Sequence, residues 1–336
     1  MLDTALPAAP ALEPAVLDPS VLEATEPVLL RGLVAHWPLV QAAQAGDAAF
    51  CNALRGFGAD TRVGLWRGAP AIGGRFGYNE AFDGFNFTRE IGRFGALLDE
   101  LLALADAPQP PALYLGSTEL DGSFPGLRAQ HPLPALDALD PLASLWLGNR
   151  AQVAVHFDLP DNLACVVAGR RRFTLFPPEQ VANLYVGPLE FTPAGQPISL
   201  VDHARPDLQR FPRYAEALPH ARVFELDPGD ALFIPSQWWH GVESLAPVNA
   251  LINFWWRRVP PHRDTPLNAL LLALLSLRGL PAHERQAWRA LFEHYVFDGG
   301  EHTAAHIPPQ ARGVLGEMDA AQARRLRAHL LNRLNR

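Results

Sequence analysis

Between residues 112 and 258 the apolar positions fall in short runs, at 112–115, 153–157, 163–167, 172–176, 223–226, 231–234 and 251–255, separated by Gly, Pro and Asp. Runs of four or five residues bounded by turn formers predict strands. Many of them in succession predict an all-β sandwich or barrel and not a βα alternation. Upstream, 26–34 reads as a buried strand that leaves into a turn at 35–38. Residues 40–55 and 88–105 carry helical spacing. In the second of these Ile91, Phe94, Leu97, Leu98, Leu101 and Leu102 share a face, Thr88 is placed as an N-cap, and Pro108 and Pro110 lie beyond the end. After Pro260 and Pro261 the helical period returns over 264–297 and 317–335. There Leu267, Leu270, Leu271, Leu274 and Leu275 make a face too apolar to stand alone in water. The pattern divides the chain into an arm at 1–20, a β-rich domain at 21–259 and a C-terminal helical region at 260–336. The stretch 180–220, dense in Gly and Pro, reads as a long irregular insertion of the kind that covers a site.

Composition narrows the class. With 336 residues, 49% of them hydrophobic, the chain can bury a sizeable core. The net charge is −7 and the basic residues form no stripe, so no nucleic-acid partner is expected. Cys51 and Cys165 lie far apart with no metal or redox spacing, which fits a reducing, cytoplasmic setting. The first residues are acidic and proline-rich, unlike an export signal, and the apolar run at 267–277 is well short of the roughly 20 residues of a membrane span. All 28 basic residues are arginine, so a buried anion site would have to use a guanidinium.

Two segments carry candidate chemistry. In Val155-His156-Phe157-Asp158 two potential ligands stand at i and i+2, which on a strand point to one face. Taken alone, such a pair is more often a surface feature. The second segment runs from Asp227-Pro-Gly-Asp230 through an apolar strand to Pro235 and ends on His240 beside Trp238 and Trp239. Taken alone, His240 reads as a core histidine bonded to a carbonyl. Together, two histidines and one carboxylate make the facial triad that leaves three positions open on an octahedral non-heme Fe(II), whereas zinc prefers a tetrahedral set.

Four motifs in order, His156-Phe-Asp158-Leu-Pro-Asp-Asn162, Gly169-Arg-Arg-Arg-Phe-Thr-Leu-Phe-Pro-Pro178, Ile234-Pro-Ser-Gln-Trp-Trp-His240-Gly-Val-Glu-Ser244 and Ile252-Asn253-Phe-Trp255, resemble the JmjC/cupin-like branch of the 2-oxoglutarate oxygenases. Within that branch they are most similar to bacterial cupin-like relatives of the asparaginyl hydroxylase that inhibits hypoxia-inducible factor. The resemblance spans about residues 25–258. It implies a double-stranded β-helix (a jelly roll) with flanking helices, the metal ligands His156, Asp158 and His240, and Fe(II) and 2-oxoglutarate as cofactors. Arg171 matches the family lysine that binds the distal carboxylate of 2-oxoglutarate, and strand parity groups it with Phe173 and Leu175, away from Arg172 and Thr174. Asn162, Asn253 and Tyr114 match cosubstrate contacts. Val153 stands where the hydroxylase has a hydrogen-bonding threonine. Trp239, Trp255 and Phe157 are expected to line or back the pocket, with 60–85 and 180–220 as substrate walls. The implied activity is hydroxylation of a C–H bond, first of a protein or peptide side chain, with a small-molecule substrate or a non-catalytic cupin-type binding protein as alternatives. The family habit implies a homodimer through the C-terminal helices.

Overall fold

The computed structural model describes residues 17–335; the arm expected at 1–20 lies, except for its last four residues, outside them. The strands are β1 (Val28–Leu30), β2 (Arg62–Gly68), β3 (Arg75–Phe76), β4 (Phe87–Arg93), β5 (Ala112–Glu119), β6 (Leu142–Gly148), β7 (Gln152–His156), β8 (Asp161–Ala168), β9 (Arg171–Phe176), β10 (Arg222–Leu226), β11 (Ala231–Ile234), β12 (Trp239–Ser244) and β13 (Asn249–Trp256). They form an eight-stranded sheet in the order β1-β11-β8-β13-β6-β5-β2-β4 and a five-stranded sheet in the order β10-β9-β12-β7-β3. From β6 onward the chain crosses between the sheets at every step except β9 to β10, which is the winding of a jelly roll. Neighbours run antiparallel except β3 beside β7.

Inner faces of the two sheets meet in a core of Ala164, Val166, Phe173, Leu175, Phe224, Leu232 and Leu251. The outer face of the large sheet is covered by helices that contribute Leu39, Phe50, Leu54, Phe94 and Leu98 to a second core. Every residue of β8 is buried for this reason, since both of its faces are covered. Burial of this apolar surface supplies the main stabilisation, about 25 cal/mol per Å².

Several expected boundaries move. Residues 88–93 belong to β4, paired residue by residue with β2, so Thr88 caps nothing and the helix begins at Phe94 and runs to Ala103. Ile91 helped to make the helical period but is 69% exposed opposite Gly64, because pairing with β2 overrides the local pattern. The stretch 40–55 is two helices, Pro38–Gln44 and Asp47–Arg55, broken at Gly46. The strand expected over 26–34 shortens to β1. Residues 264–297 divide near Pro281 into helices Pro266–Leu277 and Ala282–Phe292 followed by a wider turn.

The chain forms two compact units that divide between Arg257 and Arg258. Within the second, the closing helix Ala320–Leu334 is tied to the start of the unit by an Arg327 bond to the His262 carbonyl at 3.0 Å, while Leu275, Val296, Phe297 and Leu331 stay more than half exposed. Among the described residues no helix is long and apolar enough to cross a membrane.

Candidate metal centre

The register of β7 against β12 sets His240 directly opposite His156, with ring centroids 4.4 Å apart. Asp158 follows where the chain leaves β7. Its backbone carbonyl accepts a 2.9 Å bond from the Gln237 amide, which ties this loop to the turn that enters β12. One ligating atom from each of His156, Asp158 and His240 lies within 4.8 Å of the others, and His240 Nε2 is 3.6 Å from an Asp158 oxygen. A register shift between His240 and Val242 leaves an extra residue on β7. Because of this bulge Val153 and His156, three apart, both face the same cavity.

Both imidazoles are held from behind. His156 Nδ1 lies 2.9 Å from the Ala154 carbonyl and His240 Nδ1 2.9 Å from the Trp238 carbonyl. A carbonyl only accepts, so each Nδ1 carries the proton and each Nε2 offers its lone pair to the site. Burial, with His240 adding to it, pulls the His156 pKa down to about 4. Burial opposes charge on Asp158, but the neighbouring His240 and His156 outweigh it and hold the carboxyl below its usual value. Two neutral imidazoles and one carboxylate are the donor set a divalent cation requires.

Arg171 opens β9 just after Gly169, whose φ of +71° and crowding leave no room for a side chain. A Cβ there would sit 2.4 Å from Asn249 Oδ1 and from the Val248 carbonyl. Strand alternation then sorts the arginines: Arg172 turns outward to Glu225 at 2.7 Å, whereas Arg171 turns inward and is 2% exposed. Its Nε and Nη2 are buried with no hydrogen-bond partner among the described residues. Burial lowers its pKa to about 10 against the opposing influence of Tyr114, whose phenol burial pushes up. A buried cation with unsatisfied donors is costly unless an anion arrives to pair with it.

One cavity between the sheets brings together His156, Asp158, His240, Arg171, Tyr114, Asn162 and Asn253. Asn253 donates to Asn162 Oδ1 at 3.2 Å and accepts from Trp146 Nε1 at 2.7 Å. Trp255 also lines it, with a buried Nε1 that has no partner. Trp239 does not: adjacent to His240 on the strand, it faces the other way and packs edge-on against Phe157 at 4.9 Å, in a cluster with Phe176 and Tyr214. A wider cleft of about 240 Å³ opens over the ligands, with Trp66 and Phe76 on one side and Pro193, Gln196 and Ile198 of the insertion on the other. Ser199 bonds the Val155 carbonyl at 2.7 Å, so the insertion runs alongside His156.

His203 escapes the sequence reading. Its buried ring packs against Gly241, where a Cβ would lie 2.6 Å from the imidazole, and its Nδ1 is 3.4 Å from Gln152 Nε2. The available signal was the glycine itself, since Gly inside a strand often marks a close approach by another group.

A jelly roll whose smaller sheet converges two imidazoles and a carboxylate, with a buried arginine in the same cavity, defines the JmjC-type class of metal-binding β folds. The chain belongs to the cupin-like domain family, whose model matches residues 14–262. It is 33% identical over 173 residues to HSPB1-associated protein 1 of Bos taurus, covering 50% of this chain and 33% of that protein. It is 33% identical over 128 residues to lysine-specific demethylase JMJ31 of Arabidopsis thaliana, 36% of this chain and 23% of that one. A third relative, tRNA wybutosine-synthesizing protein 5 of Danio rerio, is 34% identical over 109 residues, 32% of this chain and 30% of its own. The matched regions are thus a third or less of the length of these relatives.

Proposed function

We propose that the chain is an Fe(II)- and 2-oxoglutarate-dependent dioxygenase that hydroxylates a C–H bond, with a protein or peptide side chain as the acceptor. The observation that carries the reading is the orphaned guanidinium of Arg171 in the same cavity as the triad. A metal alone would not require it, but a dicarboxylate that chelates through its oxo acid end and extends toward Arg171 would. When bound, Fe(II) and 2-oxoglutarate supply oxidative decarboxylation to succinate and CO₂, coupled to insertion of one O₂ oxygen atom into the C–H bond.

The chain's own residues hold and orient. His156, Asp158 and His240 would hold the ion, with the two imidazoles fixed by the carbonyls of Ala154 and Trp238. Arg171 pairs with the distal carboxylate, with Tyr114 beside it. Asn162 and Asn253, locked to one another and to Trp146, flank the oxo acid with amide groups that cannot rotate away. Val153 gives the distal carboxylate an apolar neighbour. Trp146, Trp255 and Phe173 exclude bulk water. The relatives named for lysine demethylation and wybutosine synthesis support an oxygenase reading of the fold. The test is succinate release from 2-oxoglutarate under Fe(II) and ascorbate. Wild-type chain should turn over and Asp158→Ala should not, and absence of any Fe(II)-dependent succinate from the wild type overturns the proposal.

We also propose a homodimer through the C-terminal helices, supported by the exposed Leu275, Phe297 and Leu331. Sedimentation of the full chain as a monomer at micromolar concentration would remove it.

A further inference from the structure

The cleft over the metal ligands has a roof, and one arginine fastens it. Arg89 on β4 donates to the Pro193 carbonyl, and both Pro193 and the neighbouring Gln196 line the cleft. On its other side the guanidinium lies 5.7 Å from the ring centre of Trp66, a cleft wall, and 5.4 Å from that of Phe85. The roof is held a second time by Phe191, stacked on Phe85 at 4.9 Å, with its carbonyl accepting from the Tyr78 hydroxyl at 2.5 Å. The segments that form the two sides of the cleft therefore meet at a cation.

Among the charges around this opening the positive ones are in excess. Among the described residues lining the cleft Asp158 is the single carboxylate, and it belongs to the triad. The cavity beneath holds Arg171, and an adjoining cleft that shares Phe76, Ala154 and Ile198 is lined by Arg75 and Arg210 against one acid, Glu80. A lysine or arginine side chain entering here would lose its hydration without gaining a free counter-ion, with Arg89 already bonded to the cleft wall at Pro193. An aromatic wall can solvate a cation through its ring face, but the Trp66 ring already carries Arg89.

We propose that Arg89 is a specificity-determining residue that rejects cationic side chains, so that the acceptor is an uncharged, largely apolar side chain. This rests on the proposed hydroxylase reading for the chemistry, but the charge selection is a property of binding and is measured separately. The full chain, loaded with Mn(II) and N-oxalylglycine as unreactive stand-ins, is titrated calorimetrically with otherwise identical uncharged 15-residue peptides. Their central residue is leucine, lysine or trimethyllysine. The leucine peptide should bind at least about tenfold more tightly than either cationic peptide, and Arg89→Glu should narrow that ratio by about fivefold, with Arg89→Gln in between. Both variants lose the bond to Pro193, so an effect of roof loosening alone would be equal in the two and would leave the ratio unchanged. Equal binding of the three peptides, preference for either cationic peptide, binding of none, or a ratio insensitive to Arg89→Glu overturns the proposal. If the ratio behaves as stated while succinate release fails, the hydroxylase reading falls and the charge selection stands.

Discussion

The two ends of the central cavity differ in how far the protein satisfies its own groups. At the metal end each imidazole has its Nδ1 fixed by a carbonyl, and the strand register alone brings His156 and His240 together. At the other end Arg171 is buried with Nε and Nη2 unpaired. The contrast separates two kinds of preorganisation. Backbone pairing sets the metal end, which persists without a ligand, whereas the anion end is held in an unfavourable state that only a ligand relieves.

Lowering the pH attacks the metal end and should have the largest effect. Burial holds His156 and His203 near a pKa of about 4, below the ordinary 6.5 of the unfolded chain. The unfolded state therefore takes up protons first as pH falls below about 6.5. Stability should be full above that value and decline down to about 4, by roughly 3 kcal/mol for each histidine. Urea unfolding of the metal-free chain at pH 7.5 and 5 measures this; equal midpoints would show that the two rings are not buried as neutral groups.

Arg171→Met sharpens the contrast from the other end. Removing an unpaired buried charge should raise the stability of the ligand-free chain by about 1–3 kcal/mol, while weakening 2-oxoglutarate binding by about 100-fold. A thermal scan with and without metal and oxo acid reads both. Loss of stability in the apo variant would mean that Arg171 has a structural partner.

Gly241→Ala tests whether the metal end depends on what lies behind it. The new methyl would lie 2.6 Å from the His203 ring, so a cost of about 1–3 kcal/mol is expected, with His240 displaced and metal affinity reduced. Adding His203→Ala should restore much of the metal affinity, a coupling that a cycle of the two substitutions would quantify. The smallest change is Val153→Thr, which places a hydroxyl on the cavity wall shared with Arg171. One hydrogen bond to the distal carboxylate should tighten 2-oxoglutarate by about fivefold, seen as a lower KM at unchanged kcat.

Strand alternation made the Arg170-Arg171-Arg172 triplet legible, because period two has only one way to sort it once Phe173 is inside. The four motifs carried the jelly roll and, apart from Tyr114, the expected site residues now found around one cavity. Other features were hidden for identifiable reasons. β4 looked helical because Ile91 falls in phase with the leucines of the following helix, and only its partner β2 makes it a strand. β2 itself alternates exposed and buried at Arg62, Val63, Gly64 and Leu65, a pattern that was present but passed over. β6, paired on both sides in the middle of the large sheet, has no such alternation to find. Of the residues expected to line or back the pocket Trp255 lines it, while parity turns Trp239, next to His240, to the other face of the strand against Phe157. His203 and Arg89 act across the fold on Gly241 and Pro193, and no local spacing reports such contacts.

Anaerobic titration of the Fe(II)-loaded chain with 2-oxoglutarate, followed by its visible metal-to-ligand absorption and repeated with 2-oxobutyrate, tests the joint role of the triad and Arg171 most directly. The account predicts a band that saturates at one 2-oxoglutarate per chain and requires the metal, with 2-oxobutyrate, which lacks the distal carboxylate, binding about 100-fold more weakly. Equal binding of the two oxo acids, or 2-oxoglutarate binding without the metal, would contradict it.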